Sequence, residues 1–444
     1  MIPTAPNYWL KNARVPTSLL ESELPGGPIA NQTRDGVSLV DIEIVEGAIA
    51  QIISAAIGEP AERPYNRADV PVVDLKGGQV WPCFVDIHTH LDKGHIWERS
   101  PNPDGTFASA IEAVRIDAEK YWKAEDVYRR MEFGLKCSYA HGTQAIRTHI
   151  DAQSQRTAKS FEVFKALQNE WSDRLSLQFV SLVSLDYFQE KSGEELANRM
   201  AEIGGILGGV AFMNPDLEQQ LDRVFTLATE RGLNLDFHAD ENGNPDSSVL
   251  KKIAETALRH QFSGNIVCGH CCSLATQSPD VVAETLELVK QAKIGIVSLP
   301  MCNLYLQDRQ LHRTPRWRGV TLLHELKQAG IPVTVASDNC RDPFHSFGDH
   351  DVLEVFKMSV HIAHLDQPYG DWPTIVAKTA ADLMGLREVG RIQVGLPANL
   401  VLFTARTFSE LLSRSQHNRR VLRTGKEIDS SLPDYGELDD LLLA

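Results

Sequence analysis

The middle of the chain alternates short apolar segments with longer helical patterns, eight times over, and this is its strongest constraint on fold. The strand candidates are Phe84–His88, Thr143–His149, Leu175–Val183, Gly209–Met213, Leu233–His238, Asn265–His270, Ile294–Leu299 and Ile331–Ser337. Each is a short apolar run bounded by polar or turn residues, as buried parallel strands are. Helix-like stretches separate them: Ala124–Tyr139, Ala158–Glu170, Gly193–Ile203, Asp216–Arg231, Pro245–Arg259, Ser278–Ala292 and Val320–Ala329. Gly142, Gly232 and Gly330 follow three of these, where a helix stops in a backbone conformation that costs glycine nothing. Eight strand-then-helix units predict a (β/α)8 barrel. A doubly wound open sheet shows the same alternation, and periodicity alone does not separate the two.

The two ends read differently. Residues 1 to about 75 are rich in Pro, Gly and β-branched residues, with Val37–Val45 apolar over strand length. One Ala/Ile stretch near Gly47–Ile57 is the only part with a helical period. From Gly390 the pattern is again a turn and a strand, Gly395 to Phe403, then a helical Thr404–Ser415. Both ends are expected to form one small β domain that brings the termini together.

Charge and cysteine content exclude several functions. Lys and Arg number 44 against 59 Asp and Glu, a formal net charge of −15. Non-specific binding to nucleic acid or to an anionic membrane needs basic patches, so neither is expected. Seven scattered cysteines, an odd number, read as reduced thiols of a cytoplasmic protein. No apolar signal core or long apolar run is seen. Cys268-Gly-His-Cys271 is formally CxxC, but a second such pair is missing, so a structural zinc is not expected there.

The sharpest motif is Val85-Asp86-Ile87-His88-Thr89-His90. Positions i and i+2 of a strand face the same side, so two imidazoles project together from the strand's C-terminal end. That is where barrel active sites are built, and the spacing suits two nitrogen ligands on one metal. A second strand ends in His238, followed by Asp240 and Glu241; a third ends in His270; the eighth ends in Asp338. A single His or Asp at a strand end is usually structural. Four of eight strands ending this way point to a metal site.

This pattern resembles the amidohydrolase superfamily, and within it the cytosine deaminase-like subgroup, over most of the chain. The matching stretches are His88-Thr-His-Leu-Asp92, Gly142 to Asp151, Leu177-Gln178, His238-Ala-Asp-Glu241, His270, Asn303 to Arg309, and Ser337 to Phe344. The resemblance implies an α/β fold: a (β/α)8 barrel, residues 78–385, with a small β-sandwich from both termini, residues 1–77 and 386–444. It implies that His88, His90, His238 and Asp338 hold one divalent metal ion, zinc or iron. Members with two metals often carry a carboxylated lysine after the fourth strand; Val210 to Asn214 contains none. Asp338 would also take a proton from the attacking water, and Glu241 would pass it to a ring nitrogen. His270 would steady the attacking oxygen. Gln178, Phe107, Asn339 and Phe344 would contact a small heterocyclic substrate. Many barrels of this kind are homo-oligomers.

The implied reaction is hydrolytic deamination of a cytosine-like cyclic amidine, such as cytosine or a 5-substituted cytosine, releasing ammonia. The chemistry is consistent: a metal brings the pKa of water toward neutrality, and one proton-cycling carboxyl serves both the ring nitrogen and the departing amine. Two departures bear on the substrate. Asn339 follows Asp338 where cytosine enzymes carry a second Asp, and Phe344 stands where they carry Trp. Lys93 adds a cation near the HxH motif and reads as a surface lysine. An s-triazine aminohydrolase and a non-catalytic binding protein of the same fold remain the alternatives.

Overall fold

β-Branched and aromatic residues set most of the strands, and turn residues set their limits. The computed structural model describes residues 2–21, 33–55, 70–154, 157 and 159–442. Its strands are β1 (Asn7–Pro16), β2 (Val37–Val45), β3 (Ala48–Ser54), β4 (Val72–Asp74), β5 (Val80–Pro82), β6 (Phe84–Thr89), β7 (Thr143–Asp151), β8 (Ser176–Leu182), β9 (Leu207–Ala211), β10 (Leu235–Ala239), β11 (Ile266–His270), β12 (Gly295–Ser298), β13 (Val333–Val335), β14 (Leu400–Leu402), β15 (Arg420–Arg423) and β16 (Lys426–Glu427). The chain divides into two bodies. One comprises Met1–Val85, Ser138–Gln144 and Val352–Leu432; the other comprises Asp86–Cys137, Ala145–Asp351 and Pro433–Ala444.

The first body holds two four-stranded sheets, ordered β3-β2-β1-β4 and β16-β15-β14-β5. In the second sheet, β14 pairs antiparallel with β5, so residues from both ends of the chain share it. Both sheets feed one apolar cluster that includes Leu10, Val40, Ile42 and Ile52 with Val80, Leu400 and Leu422. The Ala/Ile stretch near Gly47–Ile57 is a strand, β3, rather than a helix, up to Ser54. Its β-branched isoleucines pair with β2. The part of that stretch beyond residue 55 lies outside the described residues.

The barrel strands follow the expected alternation. β6-β7-β8 form one parallel sheet and β9 to β13 another, each strand beside its neighbour in sequence. Isolated parallel bridges join β8 to β9 through Val180 and Ile206, and the β6 end to the β13 end through Thr89 and Asp338. Eight parallel strands therefore close on themselves, which decides for the barrel over the open sheet. Amphipathic helices follow, among them Ala124–Ala140, Leu217–Arg231, Val249–Arg259 and Pro279–Gln291. Gly232 takes a left-handed φ of 63° as the C-cap of Leu217–Arg231. In the expected helix from Ala158, residue 158 lies outside the described residues, and the helix runs Ser160–Glu170. Among the helices outside the expected helical stretches, the two longest are Phe107–Tyr121 and Val352–Ala363. Among the described residues no helix is long and apolar enough to cross a membrane.

Candidate metal centre and active site

The barrel delivers four donor atoms to one point. His88 and His90 sit on β6 with period-two spacing, His238 on β10, and Asp338 three residues beyond the end of β13. Nε2 of His88 and of His90 lie 3.2 and 3.3 Å from Nε2 of His238. Asp338 Oδ1 lies 3.2 Å from His90 Nε2 and 3.6 Å from His88 Nε2. A tetrahedral ion with ligands at 2.0–2.1 Å has donor–donor edges of about 3.3–3.4 Å, so this spacing fits a zinc-sized cation.

Local structure explains the convergence. Asp86, buried on β6, accepts hydrogen bonds from the Ser337 amide and hydroxyl, and the Asp338 amide donates to the His88 carbonyl at 2.9 Å. These bonds pin the end of β13 against β6. Asp338 and His270 then turn out of their strands with φ of 63° and 69°, a left-handed conformation that non-glycine residues adopt at a cost. Gly269 precedes His270; a Cβ there would lie 2.9 Å from the His88 ring, so only glycine lets that ring pass. His149 of β7, unremarked in the sequence, stacks on His88 with ring centroids 3.9 Å apart.

The donor set also fits a cation electrostatically. Burial, reinforced by neighbouring cationic groups and imidazoles, holds His88, His90 and His238 well below the usual imidazole range, so they are neutral and ligand-ready. Neither oxygen of the buried Asp338 carboxylate has a hydrogen-bond partner among the described residues. The Cys302 thiol is directed instead to the Asn339 carbonyl. Burial pushes Asp338 up to about 8. An orphaned buried carboxylate facing the neutral imidazoles of His88 and His90 is costly unless a cation completes it.

The two carboxylates after His238 part company. Asp240 faces away from the donors: it accepts from the Ser247 hydroxyl at 2.6 Å and from the Val249 and Leu250 amides at 3.0 and 2.9 Å, capping the helix Val249–Arg259. Glu241 is held at the centre. Its Oε1 lies 3.3 Å from His270 Nδ1, and the Asn303 amide reaches both Glu241 Oε1, at 3.5 Å, and His270 Nδ1, at 3.0 Å. Asn303 donating to Nδ1 leaves His270 with its proton on Nε2. Burial holds His270 down at about 3, so the ring is neutral. Burial, with the nearby Asp338 charge, raises Glu241 well above the usual carboxylate range.

A cavity of about 710 Å³ opens from this cluster. His90, His238, His270, Glu241, Asp338, Asn339, Phe107 and Phe344 all line it. Phe107 and Phe344 meet edge to face, centroids 5.5 Å apart. The Asn339 amide donates to Asp342 at 2.6 Å, which fixes its orientation. Two expectations need correction. Lys93 is buried rather than on the surface; its ammonium lines the cavity 2.6 Å from Asp151 and 5.7 Å from the Phe344 ring centroid. Gln178 does not line the cavity. It is the third residue of β8, and its carbonyl accepts from Arg147 Nε and Nη2 at 3.1 and 2.9 Å. Leu182, Val183 and Ser184, at the other end of that strand, line the cavity instead.

A closed parallel barrel with three imidazoles and a carboxylate converging at its C-terminal rim is the frame of a metal-dependent hydrolase. Residues 124–426 match the amidohydrolase family model. The chain belongs to the amidohydrolase family. A pterin deaminase of Rhizobium rhizogenes (strain K84 / ATCC BAA-868) is 48% identical over 441 residues, covering 99% of this chain and 98% of the relative. The N-isopropylammelide isopropyl amidohydrolase of Pseudomonas sp. (strain ADP) is 26% identical, covering 83% of this chain and 88% of the relative. Among solved structures, a 5-methylcytosine deaminase from Klebsiella pneumoniae, liganded with 5-fluorocytosine, superposes with a TM-score of 0.77 at 24% identity. It covers 95% of this chain and 97% of its own, and it shows the shared fold.

Proposed function

We propose that the protein is a metal-dependent hydrolytic deaminase of a pterin-like 2-amino-4-oxo heterocycle. The carrying observation is Glu241, a buried carboxyl held by His270 and Asn303 beside the four-donor cluster and lining the cavity, its pKa raised by burial. The similarity to the Rhizobium pterin deaminase over nearly the whole of both chains favours the pterin ring over the cytosine ring that the motifs alone suggested. A cavity of this size lies within the ordinary range for small-molecule sites and has room for a two-ring substrate. The paired sheets and shared core of the first body support reading it as a small β-sandwich built from both ends of the chain.

His88, His90, His238 and Asp338 would hold the divalent ion. Such an ion, when bound, brings the pKa of water toward neutrality. The chain's own groups do the rest. Glu241 gives its proton to the ring nitrogen beside the amino-bearing carbon as the water oxygen adds. It then regains a proton and returns it to the amine, so the two water hydrogens end on the ring nitrogen and on ammonia. The His270 Nε2–H faces the developing negative charge as a donor, positioned by Asn303. Phe107 and Phe344 flank the ring, and Asn339 and Lys93 supply polar contacts to its edge.

The test is ammonia release from pterin, cytosine, 5-methylcytosine and an s-triazine by metal-replete protein. Pterin should be turned over with the highest kcat/KM. Release from cytosine but not from pterin would overturn the ring assignment; release from none would overturn the deaminase reading.

A further inference from the structure

A second cluster of ligand-type side chains lies outside the mechanism. His95, Cys340 and His350 are buried to within 2% exposure, and one donor atom from each lies within 4.8 Å of the others. His95 follows the HxH loop after β6. Cys340 stands two residues beyond Asp338. His350 lies just before the second body's last residue ahead of the helix Val352–Ala363.

The cluster repeats the geometry of the catalytic donors. Nε2 of His95 and Nε2 of His350 are 3.1 Å apart, against 3.2 and 3.3 Å for the imidazole pairs at the metal centre. Among the described residues His95 Nδ1 has no hydrogen-bond partner, as in His88, His90 and His238. Burial, with His350 and the cationic Arg341 and Arg130 nearby, keeps His95 neutral. The backbone is bent to make the approach: His95 and His350 both take left-handed φ, 61° and 55°. The helix Ala124–Ala140 makes room with a glycine. A Cβ on Gly134 would lie 3.0 Å from His350 Nε2, tighter than an ordinary contact. A bare hydrogen bond between two neutral imidazoles would need neither the thiol nor both strained turns.

We infer that His95, Cys340 and His350 form a second metal site, a sealed structural one for a thiophilic cation such as zinc. Two imidazoles and a thiolate are a borderline-soft donor set, suited to Zn2+ rather than to Mg2+ or Ca2+. Binding exchanges the Cys340 proton for the ion and releases that proton. The ion would tie the loop after β6 to the loop after β13, behind Asp338.

Cobalt distinguishes the two sites, because only this one supplies sulfur. The full-length protein is stripped with chelator and titrated with Co2+, following absorbance and metal content. Two ions per chain should bind, one with an intense near-ultraviolet thiolate-to-cobalt band. Cys340→Ser should lose that band and one equivalent while keeping the other. His95→Asn should weaken the same band if Cys340→Ser does not fold. A folded wild-type protein that saturates at one ion with no thiolate band overturns the inference, leaving an imidazole pair. The readout is independent of ammonia release, so it stands or fails apart from the deaminase reading.

Discussion

Two sets of buried and half-buried polar side chains stand at two depths of the barrel, and they are satisfied to different degrees. In the deeper set, Arg147 Nη1 donates to Asp236 at 2.8 Å while its Nε and Nη2 donate to Gln178. Arg147 thus answers Asp236 Oδ2 and the Gln178 carbonyl within the protein, and only Asp236 Oδ1 lacks a hydrogen-bond partner among the described residues. In the set at the C-terminal rim, the Asp338 carboxylate has no hydrogen-bond partner among the described residues and three imidazoles turn their nitrogens on one another. The contrast separates polar groups that hold the barrel from polar groups left open for a ligand. Charge type alone does not separate them, since both sets contain buried carboxylates.

The largest expected effects break the rim. Asp338→Ala should remove bound metal and abolish turnover together. Glu241→Gln should keep full metal content and lower kcat by about 10²–10⁴, the usual worth of a positioned proton carrier. Metal analysis beside ammonia assays checks both. Metal loss in Glu241→Gln would make Glu241 a ligand and redraw the site.

Much of this rim was legible in the sequence, because a strand that ends in His or Asp states both its direction and its chemistry. The eight strands and most helices were legible for the same reason of period. What was hidden is depth and pairing. Gln178 follows Leu177 in a matching stretch, yet only register shows that it is bonded to Arg147, well before the strand end. Asp240 and Glu241 are adjacent and chemically alike, and only the turn at Asp240, with φ of 51°, sends one to a helix cap and the other to the site. Lys93 looked solvated because loop lysines usually are; its partner Asp151 is far away in sequence. The cluster of His95, Cys340 and His350 has no motif spacing at all, since three separate loops supply it.

Breaking the deeper set should cost stability rather than chemistry. Arg147→Met leaves the Asp236 carboxylate buried without its cation, and removing one partner of a buried pair costs about 3–5 kcal/mol. Urea denaturation should show that loss while metal content stays at the wild-type level. Loss of metal at unchanged stability would erase the distinction between the two sets.

Proton linkage sharpens the same contrast. In metal-stripped protein Asp338 is pushed up to about 8 and Glu241 is raised well above its ordinary value, both chiefly by burial. The unfolded chain loses those protons near pH 4. By about pH 8 the unfolded histidines are almost wholly neutral, so above that the buried imidazoles add little slope. The folded state then binds more protons than the unfolded one. Stability of the stripped protein should therefore fall as pH rises from about 8 to 9, by at most about 1.4 kcal/mol per pH unit for each group. In the metal-loaded protein the ion takes the place of the Asp338 proton, so the slope should shrink. Equal slopes with and without metal would mean that the ion does not bind through Asp338.

The smallest effect is the most pointed. Gln178→Ala removes a neutral acceptor from Arg147, which keeps its charged partner Asp236. Losing one such bond typically costs about 0.5–1.5 kcal/mol, and a urea midpoint will register it. Because Gln178 lies outside the cavity lining, KM and kcat should stay within about twofold of wild type. Asn339→Asp, by contrast, alters a cavity-lining amide and should change the preference among ring substituents. If Gln178→Ala raised KM more than Asn339→Asp did, substrate would have to reach well below the strand ends. The deeper set would then belong to the binding site, and the division between scaffold and open donors would have to be drawn lower in the barrel.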